Sequence, residues 1–317
     1  MKVIVTGGCG FIGSHVVEEL VKRGHEVLVI DDCSLGKMDN VRRFGVKVVV
    51  GRSRHVEELA RGFDAIVHLG QPSSSPMYRR NPHLVSDVIH DMMHVLEAAR
   101  EYRLKVIYGS SSSVYNGNPT PWSEPMDIFP SDYYSEVKYY CERLCQLYAM
   151  HHDVECIILR FFSVYGEREE HKGPYANLLT QIIWSGLTGK KFIVYGDGSQ
   201  SRDLIYVKDV VGAILKALEY DLSQSPVKFE IFNVGTGRSF TVREMIELVG
   251  SQGLDVNFEC GHPYPRFYIR ETLADTWRMR HVLKYEPRYE VEEVVPRLIE
   301  SVSYTHLRAH ETRHDLV

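Results

Sequence analysis

A glycine-rich segment, Thr6-Gly7-Gly8-Cys9-Gly10-Phe11-Ile12-Gly13, places the strongest constraint on the fold of this chain. It follows Lys2-Val3-Ile4-Val5-Thr6, a short β-branched run that predicts a buried strand. The next segment, from Ser14 to Lys22, carries apolar residues at helical spacing and closes at Gly24, which predicts a helix. Glycines between a strand and a helix let the backbone approach a pyrophosphate, and the helix N-terminus presents unpaired N–H groups to it. The segment therefore predicts a dinucleotide-binding turn.

An acidic residue supports this interpretation and selects the cofactor. A second apolar run ends at Asp31, 18 positions after Gly13. A carboxylate there can accept both ribose hydroxyls of adenosine, and it would repel the additional phosphate of NADP. We therefore expect NAD, with Asp31 and the adjacent Asp32 at its ribose. The alternative is that the Asp31-Asp32 pair serves only as a turn or a helix cap.

Strand and helix patterns alternate from the N-terminus to Phe162, which predicts an α/β fold with a doubly wound parallel sheet of the Rossmann type. Beyond Phe162 the pattern gives way to loops and fewer helices, typical of a smaller α/β domain. We assign residues 1–162 to an NAD-binding domain, to which we expect the chain to return at 202–236. Residues 163–201 and 237–301 then form the substrate-binding domain. The polar segment 302–317 resembles translated cloning sequence, and we predict a non-native or disordered tail.

Composition excludes several classes of function. The 317 residues carry a net charge of −5, so a basic surface that reads nucleic acid is not expected. The apolar runs are far shorter than the roughly 20 residues of a membrane helix, and no apolar leader precedes the first strand. The cysteines form no CxxC pair, which favours free thiols in a reducing compartment. We therefore expect a cytoplasmic protein without a membrane partner.

Tyr134 and Lys138 are four residues apart on a predicted helix and therefore share one face. A phenol with a pKa near 10 is a poor base at neutral pH, but a neighbouring ammonium and an oxidised nicotinamide both favour the phenolate. The spacing therefore suits a general base. The alternative is an ordinary solvated pair on a helix surface.

A strand from Val106 runs into a serine loop that ends at Tyr115. Ligands of open parallel sheets bind at the carboxyl ends of strands, so a hydroxyl from this loop can bond a substrate oxygen. For Ser110, Ser112 and Ser113 individually, we favour an ordinary turn role.

With these segments the chain resembles the extended short-chain dehydrogenase/reductases, and within them the NAD-dependent nucleotide-sugar epimerase/dehydratase group. The resemblance covers residues 1 to about 300. Its marks are the glycine-rich segment, His68-Leu69, Ser110-Ser111 before Val114-Tyr115, Tyr134 with Lys138, the run from Leu159 to Gly166, and the run from Tyr195 to Val207.

The resemblance implies a role for each site residue. Tyr134 is the catalytic base, Lys138 lowers its pKa and holds the nicotinamide ribose, and Ser111 bonds the sugar hydroxyl. Arginines suit a diphosphate because one guanidinium can bond two oxygens. The implied cofactor contacts are Gly7, Gly10, Phe11, Ile12, Gly13, Asp31, Asp32, Leu69 and Lys138. The implied substrate contacts are Ser111, Ser163, Asn177, Arg202 and Arg266, with Arg270 as a rival to Arg266.

The residues after Ser111 indicate which reaction of the group to expect. Dehydratases of the group usually carry Asp and Glu there, and related decarboxylases keep the Glu, whereas this chain has Ser112 and Ser113. Without those acids, proton transfer at neighbouring sugar carbons is disfavoured. The resemblance therefore implies C4 epimerisation of a nucleotide-diphosphate sugar, with UDP-glucose/UDP-galactose 4-epimerase as the leading type. The alternatives are a 4,6-dehydratase, a decarboxylase, a reductase or a non-catalytic NAD-binding sensor.

Two pairs of residues have metal-ligand spacing, but neither comes with an evident third ligand. His90 and His94 are i,i+4 on a long predicted helix, and Cys141 and Cys145 share a face of the Tyr134 helix. We therefore predict no metal site. In the group, the long helix and the Tyr134 helix commonly pair across a two-fold axis, so the resemblance also implies a homodimer.

Overall fold

The central sheet occupies most of the first half of the chain in the computed structural model, which describes residues 1–314 and the side chains of residues 1–303. The strands are β1 (Lys2–Thr6), β2 (Glu26–Asp31), β3 (Lys47–Val50), β4 (Ala65–His68), β5 (Lys105–Ser111), β6 (Cys156–Phe161), β7 (Ser163–Tyr165), β8 (Phe192–Tyr195), β9 (Ser201–Tyr206), β10 (Phe229–Val234), β11 (Ser239–Thr241) and β12 (Phe258–His262). The helices are α1 (Phe11–Lys22), α2 (Asp39–Arg42), α3 (Val56–Leu59), α4 (Ser75–Arg80), α5 (Leu84–Tyr102), α6 (Tyr133–His152), α7 (Leu178–Thr188), α8 (Val207–Glu219), α9 (Val242–Ser251), α10 (Trp277–His281) and α11 (Val291–His314).

Seven of the described strands form one sheet in the order β3-β2-β1-β4-β5-β6-β10, and all neighbours are parallel. The order reverses direction between β1 and β4, which is where ligands bind in doubly wound folds. The predicted α/β fold with a doubly wound parallel sheet is therefore confirmed. The strand β10 lies beside β6 although residues 162–228 separate them in the chain. The proposed division into 1–162 with 202–236 and 163–201 with 237–301 stays a prediction, and it accommodates this return.

Helices cover both faces of the sheet because its strands alternate buried side chains between two cores. Val3 and Val5 pack with the apolar faces of α1 and α8. Ile4 packs on the other side with α5 and α6. A third cluster, built from α7, α9 and α11 around the three-stranded sheet β7-β9-β11, forms the core of the second half. This arrangement leaves the carboxyl edge of the large sheet facing the second half of the chain.

The first helix begins at Phe11, earlier than the expected Ser14. The glycines allow this early start. A Cβ at Gly13 would lie 2.0 Å from the carbonyl oxygen of Gly7, and Gly7 itself has φ of +69°. Only glycine lets the first turn of the helix pack directly on the preceding loop. The first N–H groups of α1 therefore reach the edge of the sheet.

The C-terminal helix α11 continues to His314, through most of the segment that we predicted to be a tail. Residues 315–317 lie outside the described residues. The assignment of 302–317 as a non-native or disordered tail stays a prediction. Among the described helices, none combines the length and apolar character needed to cross a membrane.

Candidate active site

A cavity of about 720 Å³ opens at the carboxyl ends of β1, β2, β4 and β5. All fifteen residues of the predicted site line it, although they come from segments between Gly7 and Arg266. These residues are Gly7, Gly10, Phe11, Ile12, Gly13, Asp31, Asp32, Leu69, Ser111, Tyr134, Lys138, Ser163, Asn177, Arg202 and Arg266. Arg270 is not among the lining residues, and its guanidinium lies over the ring of Tyr264. Of the two rival arginines, the geometry favours Arg266.

Asp31 links the end of β2 to the glycine loop. One carboxylate oxygen accepts the backbone N–H of Cys9 at 2.9 Å, and the other accepts that of Cys33 at 2.7 Å. Burial raises the pKa of Asp31, and the two backbone N–H donors oppose that rise. Each carboxylate oxygen retains a lone pair for a ribose hydroxyl. Asp32 is exposed, lines the cavity and accepts the N–H of Ser34, as a turn residue would.

The residues at this end of the cavity fit a dinucleotide such as NAD. The glycine loop leaves a cradle that a Cβ at Gly7 or Gly13 would fill. The N-terminus of α1 faces it, as a pyrophosphate requires. Asp31 stands where a ribose diol would lie. The cradle and the carboxylate together support the predicted cofactor site.

Tyr134 and Lys138 both reach the cavity from α6, whose start is fixed by a capping box between Asp132 and Ser135. The Lys138 ammonium is 5.9 Å from the centroid of the Tyr134 ring. Burial raises the pKa of Tyr134 to about 12, and a hydrogen bond with Ser111 opposes that rise. Burial lowers the pKa of Lys138 to about 8, so its ammonium form still predominates at neutral pH. The three predicted catalytic residues are therefore brought together.

Gln71, which lies three residues after the end of β4, also belongs to this group, although no sequence motif assigned it to the site. Its Oε1 accepts hydrogen bonds from Lys138 Nζ at 2.8 Å and from the Tyr108 hydroxyl at 2.9 Å. Its Nε2 lies 3.0 Å from His68 Nε2. A polar residue just beyond a strand at the carboxyl edge of the sheet was the available signal.

The predicted substrate residues are held mainly by backbone groups. Asn177 caps α7 by accepting the N–H of Leu179, and its amide donates to Val164 O. The Arg202 guanidinium donates to the carbonyls of Ser201 and Ile269, and burial lowers its pKa. These bonds fix Arg202 in place at the wall of the cavity. Arg266 is exposed and lies over the Phe267 ring.

The serine loop divides its hydroxyls between structure and cavity. Ser110 donates to the buried Glu142 carboxylate, which also forms a 2.6 Å ion pair with Arg160. Ser113 Oγ is buried without a hydrogen-bond partner among the described residues, as is Ser74 Oγ, and both residues line the cavity. Unpaired buried hydroxyls at a cavity wall suit a ligand rich in hydroxyl groups.

The residues with metal-ligand spacing form other contacts. His94 Nδ1 forms a hydrogen bond with the Glu57 carboxylate, and His94 Nε2 lies 3.1 Å from His90 Nε2. Cys141 and Cys145 are buried free thiols. Within the described part of the chain, no group of three or more His, Cys, Asp or Glu side chains could hold a metal ion.

Comparisons with known proteins identify a family and relatives that span most of the chain. Residues 3–235 match the model of the NAD dependent epimerase/dehydratase family. A putative UDP-glucose 4-epimerase of Methanocaldococcus jannaschii is 28% identical, over 94% of this chain and 97% of its own length. A UDP-N-acetyl-alpha-D-glucosaminuronate decarboxylase of Bacillus cytotoxicus is 29% identical, over 94% and 97%. The crystal structure of a UDP-glucose 4-epimerase from Thermotoga maritima with UDP-glucose superposes with a TM-score of 0.88, at 29% identity, over 96% of this chain and 99% of that one.

Proposed function

Because the chain belongs to the NAD dependent epimerase/dehydratase family, it is an enzyme that uses NAD, and we propose that it epimerises a nucleotide-diphosphate sugar at C4. This membership confirms the resemblance drawn from the motifs and the choice of NAD. UDP-glucose and UDP-galactose are the proposed substrate pair. The observation that carries the proposal is that Tyr134, Lys138 and Ser111 line the same cavity as the glycine loop.

The proposed reaction assigns a proton transfer to Tyr134. Its phenolate oxygen takes the proton of the C4 hydroxyl, and Ser111 holds that hydroxyl by a hydrogen bond as charge develops. NAD, held by the glycine loop and Asp31, would supply the hydride acceptor for C4 and the hydride donor to the other face of the sugar. Tyr134 then gives the proton back to the C4 oxygen. The Lys138 ammonium stabilises the phenolate during the interval.

The carboxylates on the substrate side of the cavity favour epimerisation over elimination or decarboxylation. Asp132 bonds Ser75 and caps α6. Glu169 accepts hydrogen bonds from Lys172, from the N–H of Asn177 and from Thr180. Carboxylates engaged in this way are poorly placed to move protons at neighbouring sugar carbons. Epimerisation needs no such group, because the same tyrosine serves both half-reactions.

The test is a panel of nucleotide sugars incubated with purified protein and a catalytic amount of NAD, with no reductant. UDP-galactose is expected to yield UDP-glucose by product chromatography. Tyr134→Phe is expected to lower kcat about 10²- to 10⁴-fold while NAD still binds. Tyr139→Phe, which alters a neighbouring phenol of α6 outside the cavity, is the matched control. Absence of turnover with every UDP-hexose would contradict the proposal.

A decarboxylase is the second candidate, because the Bacillus cytotoxicus relative named above is one. The same panel includes UDP-glucuronic acid. Release of carbon dioxide with formation of a UDP-pentose would establish the second candidate. A stable 4-keto-6-deoxy sugar would identify a dehydratase, net consumption of NADH a reductase, and NAD binding without any turnover a sensor.

We further propose a homodimer that acts in the cytoplasm. The helix α6 exposes Tyr133, Tyr140 and Leu147 at seven-residue spacing, with Met150 beside them. A stripe of this kind suits pairing with a second copy of the chain. Sedimentation velocity is expected to give a dimer that Tyr140→Glu dissociates. The free cysteines are consistent with a reducing compartment.

A further inference from the structure

Gln71 is the one carboxamide that contacts Lys138 among the described residues. Its Oε1 accepts hydrogen bonds from Lys138 Nζ and the Tyr108 hydroxyl, and its backbone N–H donates to Leu69 O at 2.9 Å. Gln71 also lines the cavity. The side chain is therefore held between the end of β4 and the residues that act on the ligand.

The chemistry of the neighbours fixes which way the Gln71 amide faces. An ammonium has only donors, so the amide oxygen must face Lys138. The amide N–H₂ then faces His68 Nε2, which must accept. Burial lowers the pKa of His68 to about 3, so the imidazole is neutral and able to accept at that nitrogen. His68 Nδ1 lies 2.7 Å from Thr6 Oγ1, which completes a chain of hydrogen bonds from Lys138 to the end of β1.

The Lys138 ammonium has two neutral acceptors among the described residues, Gln71 Oε1 and Gly109 O, each at 2.8 Å. Lysine has three donors, so these acceptors leave a third for the ribose of the cofactor. The carboxylate that acts on Lys138, that of Glu142, is already paired with Arg160. The other titratable groups around Lys138 and Tyr134 are His68, Tyr78, Tyr108, Asp132 and Cys141.

We propose that Gln71 is a positioning residue, which aims the Lys138 ammonium at both the phenol of Tyr134 and the cofactor ribose without neutralising its charge. The inference rests on the proposed roles of Tyr134 and Lys138. An apolar side chain at this position would leave Gly109 O as the one described acceptor of the ammonium. A carboxylate would hold it in place and cancel its charge. The amide supplies the second acceptor beside Gly109 O and leaves the charge of the ammonium available.

Two substitutions of Gln71 separate the effect of its hydrogen bond to the ammonium from the effect of its neutral charge. Gln71→Met keeps most of the side-chain length and removes the acceptor, so NAD affinity is expected to fall about tenfold. Gln71→Glu keeps an acceptor, so NAD affinity is expected to stay within about threefold of wild type. Both substitutions are expected to raise the pKa of the Tyr134 phenol by about one unit. Gln71→Met does so because the ammonium is no longer held toward the phenol, and Gln71→Glu does so because it adds a negative charge.

Both quantities can be measured without turnover of any substrate. Titration calorimetry gives the NAD affinity. Absorbance at about 295 nm against pH, recorded with saturating NAD because its oxidised nicotinamide favours the phenolate, follows the titration of Tyr134. Since the chain has 19 tyrosines, the titration of the same protein carrying Tyr134→Phe is subtracted from each. Gln146→Met, on α6 outside the cavity, is the matched control and is expected to change neither quantity.

Recovery of NAD affinity in Gln71→Glu but not in Gln71→Met, with a raised phenol pKa in both, would support the positioning role. Equal loss of affinity in the two variants would reduce Gln71 to a packing residue and overturn the proposal. So would a phenol pKa in Gln71→Met that equals that of wild type. An inactive nucleotide-sugar panel would contradict the proposed function but leave these two measurements interpretable.

Discussion

Two buried cations lie against α6 in very different surroundings. Arg160 is 2% exposed, and its guanidinium is paired with the Glu142 carboxylate and bonded to the Tyr115 hydroxyl. Lys138 is 6% exposed and lies one helical turn before Glu142, with carbonyl oxygens as its acceptors. Although burial alone would lower it, the carboxylate raises the pKa of Arg160 above its ordinary value. Burial lowers that of Lys138 to about 8.

The difference separates a cation that supports the fold from one that serves a ligand. A compensated buried charge is held in place by its partner and exerts little field beyond it. An uncompensated one destabilises the folded chain, but its charge acts on whatever binds nearby. The neutral acceptors around Lys138 are therefore a feature of function. Substitutions at the two sites are expected to affect stability and turnover in opposite proportions.

Arg160→Met is expected to have the largest effect. It leaves the Glu142 carboxylate buried without its partner, which costs about 3–5 kcal/mol in the free energy of unfolding. Urea denaturation measures this loss. Arg143→Met, on the exposed side of the same helix, is the control and is expected to stay within about 0.5 kcal/mol of wild type. Equal stabilities of the two variants would remove the structural role assigned to Arg160.

Lys138→Met is expected to lower turnover more than stability, which is the reverse of Arg160→Met. Turnover falls about 10²-fold or more because the phenolate loses its ammonium, which is about 2.7 kcal/mol or more of transition-state stabilisation. The free energy of unfolding is expected to stay level or rise, because a buried charge without a carboxylate partner has been removed. Steady-state kinetics on the active nucleotide sugar and urea denaturation measure the two quantities. A variant that unfolds as readily as Arg160→Met would make the two cations equivalent.

The stability of the wild type relative to Lys138→Met is expected to depend on pH. The pKa of Lys138 is about 8 in the folded chain and about 10.5 when unfolded, so the penalty for its charge is complete below pH 8. Between these values the unfolded chain binds more protons, so wild-type stability rises relative to the variant by about 2–3 kcal/mol. Urea titrations at pH 7 and pH 10 measure the change. A difference that does not vary with pH would show that Lys138 keeps an ordinary pKa.

Ser110 and Ser111 repeat the contrast on a smaller scale. Ser110 donates to Glu142, and Ser111 contacts the Tyr134 phenol. Ser110→Ala is expected to lower the free energy of unfolding by about 1.5 kcal/mol with little change in kcat. Ser111→Ala is expected to lower kcat about tenfold with little change in stability. Paired kinetics and denaturation check both, and identical profiles would contradict the division of roles between the two hydroxyls.

The sequence was informative wherever local spacing determines structure. Glycines at positions 7, 10 and 13 between a strand and a helix, and Asp31 at the end of the next strand, predict which strand ends meet. The Tyr134 and Lys138 spacing predicts one helix face. These features depend on neighbours a few residues away, and so does the alternation that identifies the fold.

Contacts between distant segments could not be predicted in the same way. Gln71 and Lys138 are 67 positions apart, and only the packing of α6 against β5, the neighbour of β4 in the sheet, brings them together. The choice of Arg266 over Arg270 depends on a loop without periodicity. The hydrogen bonds from Arg202 to backbone carbonyls could not be predicted from the sequence, because any basic residue near a diphosphate suggests a role in binding that diphosphate.

The two hydrogen bonds that Asp31 accepts from Cys9 and Cys33 affect any attempt to engineer this chain for NADP. Replacement of the carboxylate by a neutral or basic side chain would remove the repulsion toward the extra phosphate. It would also remove the hydrogen bond from Cys9 that helps to tie the glycine loop to the end of β2, and so loosen the seat of the pyrophosphate. The preference for NAD over NADP and the affinity for the cofactor therefore both depend on the Asp31 side chain. A switch of coenzyme would need a second substitution that supplies new acceptors for those backbone groups.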